Sequence, residues 1–253
     1  MPDHFSRVAA SYASWRPKYP EELFDYLAGL VYRRKLAWDC AAGTGQATIP
    51  LAHRFERVVG TDISIEMLEQ APRHPGVEYR AAPAEASGLQ PASVDLVTVA
   101  QALHWLDLDT FYEEAGRVLI PGGVLAVWTY GSPLLDDATL QRDLSRFHDD
   151  LVGLYWPVNR RHVDAGYRTL RFPFPELSSP AFAMREQWTL GQLLGYIGTW
   201  TATQRFRDAT GRDPLPDLER DLIRHWGSAS ARRVRWPLTV RVGRKLVVAG
   251  DKA

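Results

Sequence analysis

Two periods of apolar residues share the first half of the chain. Short apolar runs at about 36–40, 57–62, 77–81, 94–100 and 123–129 predict strands buried on both faces. Between them, helical spacing predicts helices at roughly 46–54, 64–71 and 109–119. Ahead of the first strand, Pro20-Glu21-Glu22 opens a helix, with Pro in its first turn and acids where the helix dipole favours them. Leu23, Leu27, Leu30 and Val31 give that helix its apolar stripe. Ser64 is placed to cap the helix that follows the second strand, and Asp107 or Asp109 the one that follows the fourth. Arg117 to Gly123 reads as a helix end, a Pro-Gly-Gly turn and a new strand. Strands that alternate with helices predict an α/β, doubly wound and mostly parallel sheet, covered on both faces.

The pattern changes after Tyr130. Residues 131–180 are loop-rich and helical, interrupted by Pro157, Pro173, Pro175 and Pro180. A strand over 182–188, helices over 189–197 and 215–227, and a strand over 234–242 follow, with Val247-Val248 as an extension after Gly243. Gly191 and Gly195 weaken the 189–197 helix. The late strands are expected to close the first sheet rather than build a second one. Residues 1–253 therefore read as one domain: an N-terminal helical lid over 1–35, a core over 36–130, a helical cap over 131–230 and closing strands over 231–250.

Composition narrows the function. The chain has 253 residues, 45% of them hydrophobic, and 30 basic against 30 acidic residues give no net charge. A nucleic-acid binder more often carries a basic excess, so no nucleic-acid partner is expected. Cys40 is the only cysteine, which rules out an internal disulfide and fits a reducing compartment. No apolar run approaches the roughly 18–20 residues of a membrane span. Asp3, Arg7 and Arg16 break up any signal-peptide pattern, so a cytoplasmic location is expected. No metal-ligand spacing and no nucleophile elbow stand out.

The candidate chemistry lies between the first two strands. Leu36 to Gly45 runs as a short apolar strand, an acid (Asp39) and a turn of small residues, Ala41, Ala42, Gly43 and Gly45, before a helix. Such a turn lets a ligand approach the backbone and leaves the first helical N–H groups free to meet it. Asp62 ends the second strand, where a carboxylate is placed to accept both hydroxyls of a ribose. Ile63 and Met67 would then flank the base. The plainer alternatives are a tight turn, a helix cap and core packing. Asp39 reads as an anchor for the loop and for a ligand's charged end. His104 and Trp105, after the fourth strand, are the candidates for touching a substrate, and an imidazole there is able to act as a general base. Arg160, Arg161, Arg168 and Arg171 in the cap, or Arg232, Arg233 and Arg235 near the last strand, are candidates to pair with an acidic substrate, a solvated face being the plainer reading for most of them.

Taken in order, these motifs resemble the class I S-adenosylmethionine-dependent methyltransferases. The first motif stands as Asp39, Ala41, Gly43 and Gly45, with Ala41 in place of the usual first glycine. Asp62 is similar to the acid after the second strand, Ala84-Glu85 to the adenine-side loop, Val94 to Val97 to the fourth strand and Arg117 to Gly123 to the Pro-Gly-Gly hallmark. Phe5 to Ala9, Tyr12, Arg16-Pro17 and Tyr19-Pro20 resemble an N-terminal lid of small-molecule methyltransferases. Gln101 to Trp105 resembles a version found near the trans-aconitate methyltransferases, which methylate carboxylate oxygens of small polyacids.

The resemblance implies a seven-stranded Rossmann-like sheet and a helical cap over the acceptor. It also implies S-adenosylmethionine as cofactor, S-adenosylhomocysteine as product and no metal. Tyr12, Arg16, Asp39, Ala41, Gly43, Gly45, Asp62, Ile63, Met67, Ala84, Glu85 and Gln101 would bind the cofactor. His104 and Trp105 would bind the acceptor, with His104 the candidate catalytic residue. The expected partner is a small organic acceptor, with a carboxylate oxygen as the candidate nucleophile and a monomer or homodimer as the working unit. An NAD(P)-dependent oxidoreductase and a non-catalytic cofactor-binding protein stay open as alternatives. Thr48 occupies the place where a dinucleotide fingerprint needs Gly or Ala.

Overall fold

The computed structural model describes residues 15–247. Nine strands form one sheet: β1 Leu36–Cys40, β2 Arg57–Asp62, β3 Val77–Ala81, β4 Val94–Ala100, β5 Leu119–Tyr130, β6 Leu134–Leu135, β7 Glu176–Leu177, β8 Phe182–Trp188 and β9 Arg232–Arg244. The spatial order β3-β2-β1-β4-β5-β9 is parallel up to β5, and β9 runs antiparallel beside it. β8 pairs antiparallel with β9, so it points the same way as β5. Two of the nine strands, β6 and β7, are only two residues long. Seven full strands therefore carry the fold, as the sequence pattern predicts.

Helices α1 Glu21–Gly29, α2 Thr48–Ala52, α3 Ile65–Glu69 and α4 Leu108–Val118 cover the parallel part. α5 Ala138–Arg146, α6 Arg160–Asp164, α7 Leu190–Gly198, α8 Thr201–Thr210 and α9 Leu215–Trp226 belong to the second half. Strand alternation splits the core in two. Ala37 and Leu96 face a cluster with Leu23, Phe24, Trp128, Trp188 and Trp236, while Trp38 and Val97 face one with Phe111, Leu125 and Tyr167. At about 25 cal/mol per Å2 of apolar surface, each such buried side chain contributes roughly 1.5–3 kcal/mol.

Local chemistry sets the element ends. Ser64 caps α3 by accepting from Met67 N at 3.2 Å, and Asp107 caps α4 by accepting from Asp109 N at 3.2 Å. Asp95, fully buried in β4, accepts from Lys35 N, Leu36 N and Arg33 Nε at 2.9–3.0 Å and fixes where β1 starts.

Four elements differ from expectation. α2 is shorter than 46–54, because the small-residue turn continues to Ala47. β5 begins at Leu119 instead of 123, and the Pro-Gly-Gly segment is a bulge inside it: Val94 pairs with Leu119 and Leu96 with Val124. Its Gly122 has a φ of 78°. α8 arises in a stretch with no clear apolar stripe and ends on Gly211 in the left-handed region. β9 ends at Arg244; Val247 lies outside any strand, and Val248 lies outside the described residues. The longest described helix has twelve residues, and no described helix is long and apolar enough to cross a membrane.

Candidate active site

The site forms at the carboxyl ends of the parallel strands, where the order reverses between β1 and β4. A cavity of about 430 Å3 opens there. Its walls come from the turn after β1 (Ala41 to Thr44), the end of β2 (Asp62, Ile63), α3 (Met67), the loop after β3 (Ala82 to Glu85) and the turn after β4 (Gln101, Ala102, Trp105). That volume lies within the 300–1,000 Å3 of small-molecule and cofactor sites.

Backbone conformation builds this wall. Ala41, Gly43 and Gln101 all have φ near 55°, in the left-handed region. Non-glycine residues there cost roughly 1–2 kcal/mol, and such strain concentrates at functional sites. Asp62 ties the two strand ends together. Its Oδ2 accepts from Gly43 N at 2.8 Å and its Oδ1 from Ser64 N at 2.9 Å. A carboxylate oxygen has more than one lone pair, so these bonds orient the group while it lines the cavity. The Gln101 side chain is pinned to β5: Oε1 accepts from Tyr130 N and from Thr129 Oγ1, each at 2.8 Å, and Nε2 donates to Tyr130 O at 3.0 Å.

A second, smaller cavity of about 70 Å3 adjoins the first, and Gln101 and Trp105 belong to both walls. His104, Tyr130, Ser132, Asn159, Tyr196 and Thr201 line it, together with the indoles of Trp156 and Trp200. Two guanidiniums also line it. Arg16 Nη1 donates to Tyr130 Oη at 3.2 Å, and its guanidinium lies 5.2 Å from the Tyr196 ring centre. Arg160 stacks 4.3 Å over Trp156, with its Nε on Asp164 at 2.9 Å. No acid lines this cavity among the described residues.

His104 sits in the 3-10 turn Leu103–Trp105. Asn159 Nδ2 donates to the His104 carbonyl at 2.9 Å, which fastens α6 to this turn. The His104 Nδ1 lies 2.9 Å from Tyr167 Oη. Gly166 and Tyr167, both at φ near 60°, turn the chain so that the tyrosine ring reaches under His104. Burial first, then the positive charges of Arg160 and His162, push the imidazole down to about 3. His104 is therefore neutral at pH 7 and a weak base.

Three expected residues lie elsewhere. Asp39 is 1% exposed and does not reach either cavity. Its oxygens accept from Thr48 Oγ1 at 2.6 Å and Thr98 Oγ1 at 2.8 Å, which joins α2, β1 and β4. Burial raises this carboxyl to about 6, against the two threonine bonds and with a smaller push from Asp62. Gly45 is also off the wall; a Cβ there would collide with Tyr79 Oη, so its lack of a side chain makes room for a tyrosine and not for a ligand. Arg16, expected near the cofactor, is on the smaller cavity instead, because its segment packs beside α7. Tyr12 lies outside the described residues. Tyr130, Asn159, Tyr196 and Trp200 were not anticipated. They are distant in sequence, and no local pattern marks them.

A Rossmann-like sheet with a cavity at its switch point, and a second cavity sharing two of its wall residues, has the layout of an α/β protein that binds ligands at its strand ends. Residues 38–127 match the methyltransferase domain family. A Dictyostelium discoideum protein named as a methyltransferase is 31% identical over 251 residues, spanning 96% of this chain and 95% of its own. CRG1 of Saccharomyces cerevisiae, named as an S-adenosylmethionine-dependent methyltransferase, is 30% identical, over 83% of this chain and 84% of its own. The solved structure of an Anaeromyxobacter dehalogenans protein named as a type II methyltransferase superposes with a TM-score of 0.86 at 45% identity, over 92% of this chain and 99% of that one. The chain belongs to the S-adenosylmethionine-dependent methyltransferases. The oxidoreductase and non-catalytic alternatives fall away with that membership.

Proposed function

We propose that this enzyme transfers the methyl group to a carboxylate oxygen of a small organic acid, of the polyacid kind that trans-aconitate methyltransferases use. One observation carries the acceptor class. The smaller cavity shares Gln101 and Trp105 with the larger one and is flanked by Arg16 and Arg160, with no acid on its described wall. Guanidiniums match carboxylates in geometry and charge.

The residues of the larger cavity fit S-adenosylmethionine. Asp62 offers a carboxylate for the ribose hydroxyls, and Ile63 and Met67 offer apolar faces for the adenine. Backbone groups of Ala84 and Glu85 would read its ring edge. The left-handed turn at Gln101, whose side chain is held by Tyr130, leaves its backbone for the amino-acid end. Ala41 and Gly43 let the ligand lie against the turn, while Asp39 and Gly45 support that turn from behind. Arg16 serves the acceptor in this arrangement. When bound, the cofactor supplies a sulfonium-activated methyl group.

The protein's part is positioning, which can supply roughly 7–11 kcal/mol of a barrier. A carboxylate is ionised at neutral pH and needs no base, which suits the weakly basic His104. His104 orients the acceptor by a hydrogen bond, and Trp105 separates the two ligands and excludes water. In this organisation residues 1–35 act as a lid, 36–130 as the cofactor core, 131–230 as the acceptor cap and 231–250 as closing strands. One chain provides every group named, so a monomer or a homodimer would serve.

The test is incubation with methyl-labelled cofactor and a panel of small acids, phenols and amines. A carboxylate product is a methyl ester that releases labelled methanol in mild alkali. Alkali-stable label on a phenol or amine, with none on any acid, would overturn the acceptor class.

A further inference from the structure

Gly195 lies inside α7, where glycine is a poorer helix former than alanine. Its place has a cause outside the helix. A Cβ built on Gly195 would come 2.8 Å from Trp15 Cδ2 and Cε2, closer than real Cβ atoms come to a neighbour, and a tight 3.1 Å from Cε3. The indole of Trp15 therefore lies flat in a notch that only glycine leaves open. The neighbours on both sides of this contact reach the acceptor cavity. Arg16 follows Trp15, Tyr196 follows Gly195, and the Arg16 guanidinium sits 5.2 Å from the Tyr196 ring and 3.2 Å from Tyr130 Oη. Arg16, Tyr130 and Tyr196 all line the smaller cavity.

We infer that Trp15 and Gly195 form a latch that docks the N-terminal segment on the cap and thereby sets Arg16 in the acceptor cavity. Trp15 is a positioning residue: it acts on the acceptor through Arg16 and not by touching it. This assignment rests on the acceptor occupying the smaller cavity. The contact also accounts for a glycine that the helix alone does not want.

Gly195→Ala tests the latch without weakening the helix, since alanine is the better helix former. Trans-aconitate serves as the acid probe, its dissociation constant measured with S-adenosylhomocysteine present. Gly195→Ala is expected to weaken the probe about tenfold, to leave S-adenosylhomocysteine affinity within about twofold and to shift the melting temperature little, since the gain in helix propensity offsets the lost indole contact. Trypsin cleavage after Lys18 should accelerate in the same variant. Trp15→Leu in the Gly195→Ala background should restore much of the affinity, because the smaller side chain seats against the new methyl group. Arg16→Ala should weaken the probe, and adding Gly195→Ala to it should change little further.

If Arg16→Ala weakens the probe and Gly195→Ala does not, the latch is wrong. Unchanged cleavage after Lys18 in Gly195→Ala also overturns it, whatever the probe does. If the wild-type protein does not bind the acid, or Arg16→Ala leaves its binding unchanged, the acceptor assignment fails instead, and the cleavage rate still decides whether Trp15 holds the segment.

Discussion

Asp39 gives the sharpest test of how the turn after β1 is held. It is buried with two threonine hydroxyls as partners, and its carboxyl is raised from an ordinary 3.8 to about 6. The folded state therefore holds this proton more tightly than the unfolded state. Its favourable contribution is complete below pH 3.8 and is lost as the pH rises through about 6. The interval corresponds to roughly 3 kcal/mol, of which about 2 kcal/mol falls between pH 4.5 and 7.5. Asp39→Asn removes the charge and keeps the shape. It also turns one acceptor into a donor, so one threonine hydroxyl must reverse, at a cost of about 1 kcal/mol. The variant should be more stable than wild type by about 1–2 kcal/mol at pH 7.5, and the advantage should vanish or reverse by pH 4.5. Urea melts of both proteins across that range, read as their difference, cancel the other titrating groups. Since Asp39 does not line the larger cavity, cofactor affinity should change less than about threefold, under 1 kcal/mol. A difference curve that is flat with pH would refute the placement of a strained buried carboxylate at Asp39.

The remaining expectations concern the cavities. Asp62→Ala should weaken cofactor binding by about 1–3 kcal/mol, because it removes a hydrogen-bonding carboxylate and frees Gly43 N and Ser64 N; calorimetry reads this, and an unchanged constant would exclude Asp62 from the ribose. His104→Ala should leave cofactor binding intact, and wild-type kcat should show no ionisation near 6.5, because burial holds the imidazole near 3; a rate that rises through 6.5 would make His104 a base. The same depression weakens the fold as pH falls below 6.5, by about 2 kcal/mol at pH 5, and His104→Ala should flatten that acid limb in urea melts. Ala41→Gly should stabilise by about 1 kcal/mol in thermal unfolding, because Ala41 sits at a φ of 56°; a clear destabilisation would mean its methyl group packs usefully.

The chain's local chemistry determined the sheet and the place of the larger cavity. β1, β2, β3 and β4 fall where short apolar runs put them, and Ser64 and Asp107 cap where they were expected to, because runs, caps and turns act over a few residues. The same range explains why Gly43 and Asp62 were legible, since each sits at a strand end that its own neighbours define. Only the tertiary structure decided which way a side chain at such an end faces. Asp39 lies one residue before the end of β1 and Asp62 ends β2, yet the threonines of α2 and β4 take Asp39 inward while Asp62 lines the cavity. The smaller cavity was invisible for a stronger version of that reason. Arg16, Arg160 and Tyr196 lie far apart along the chain, and the indole of Trp15 meets a glycine 180 positions later. Such convergence depends on how helices pack over the sheet, a long-range balance of excluded volume and burial that no window of residues contains.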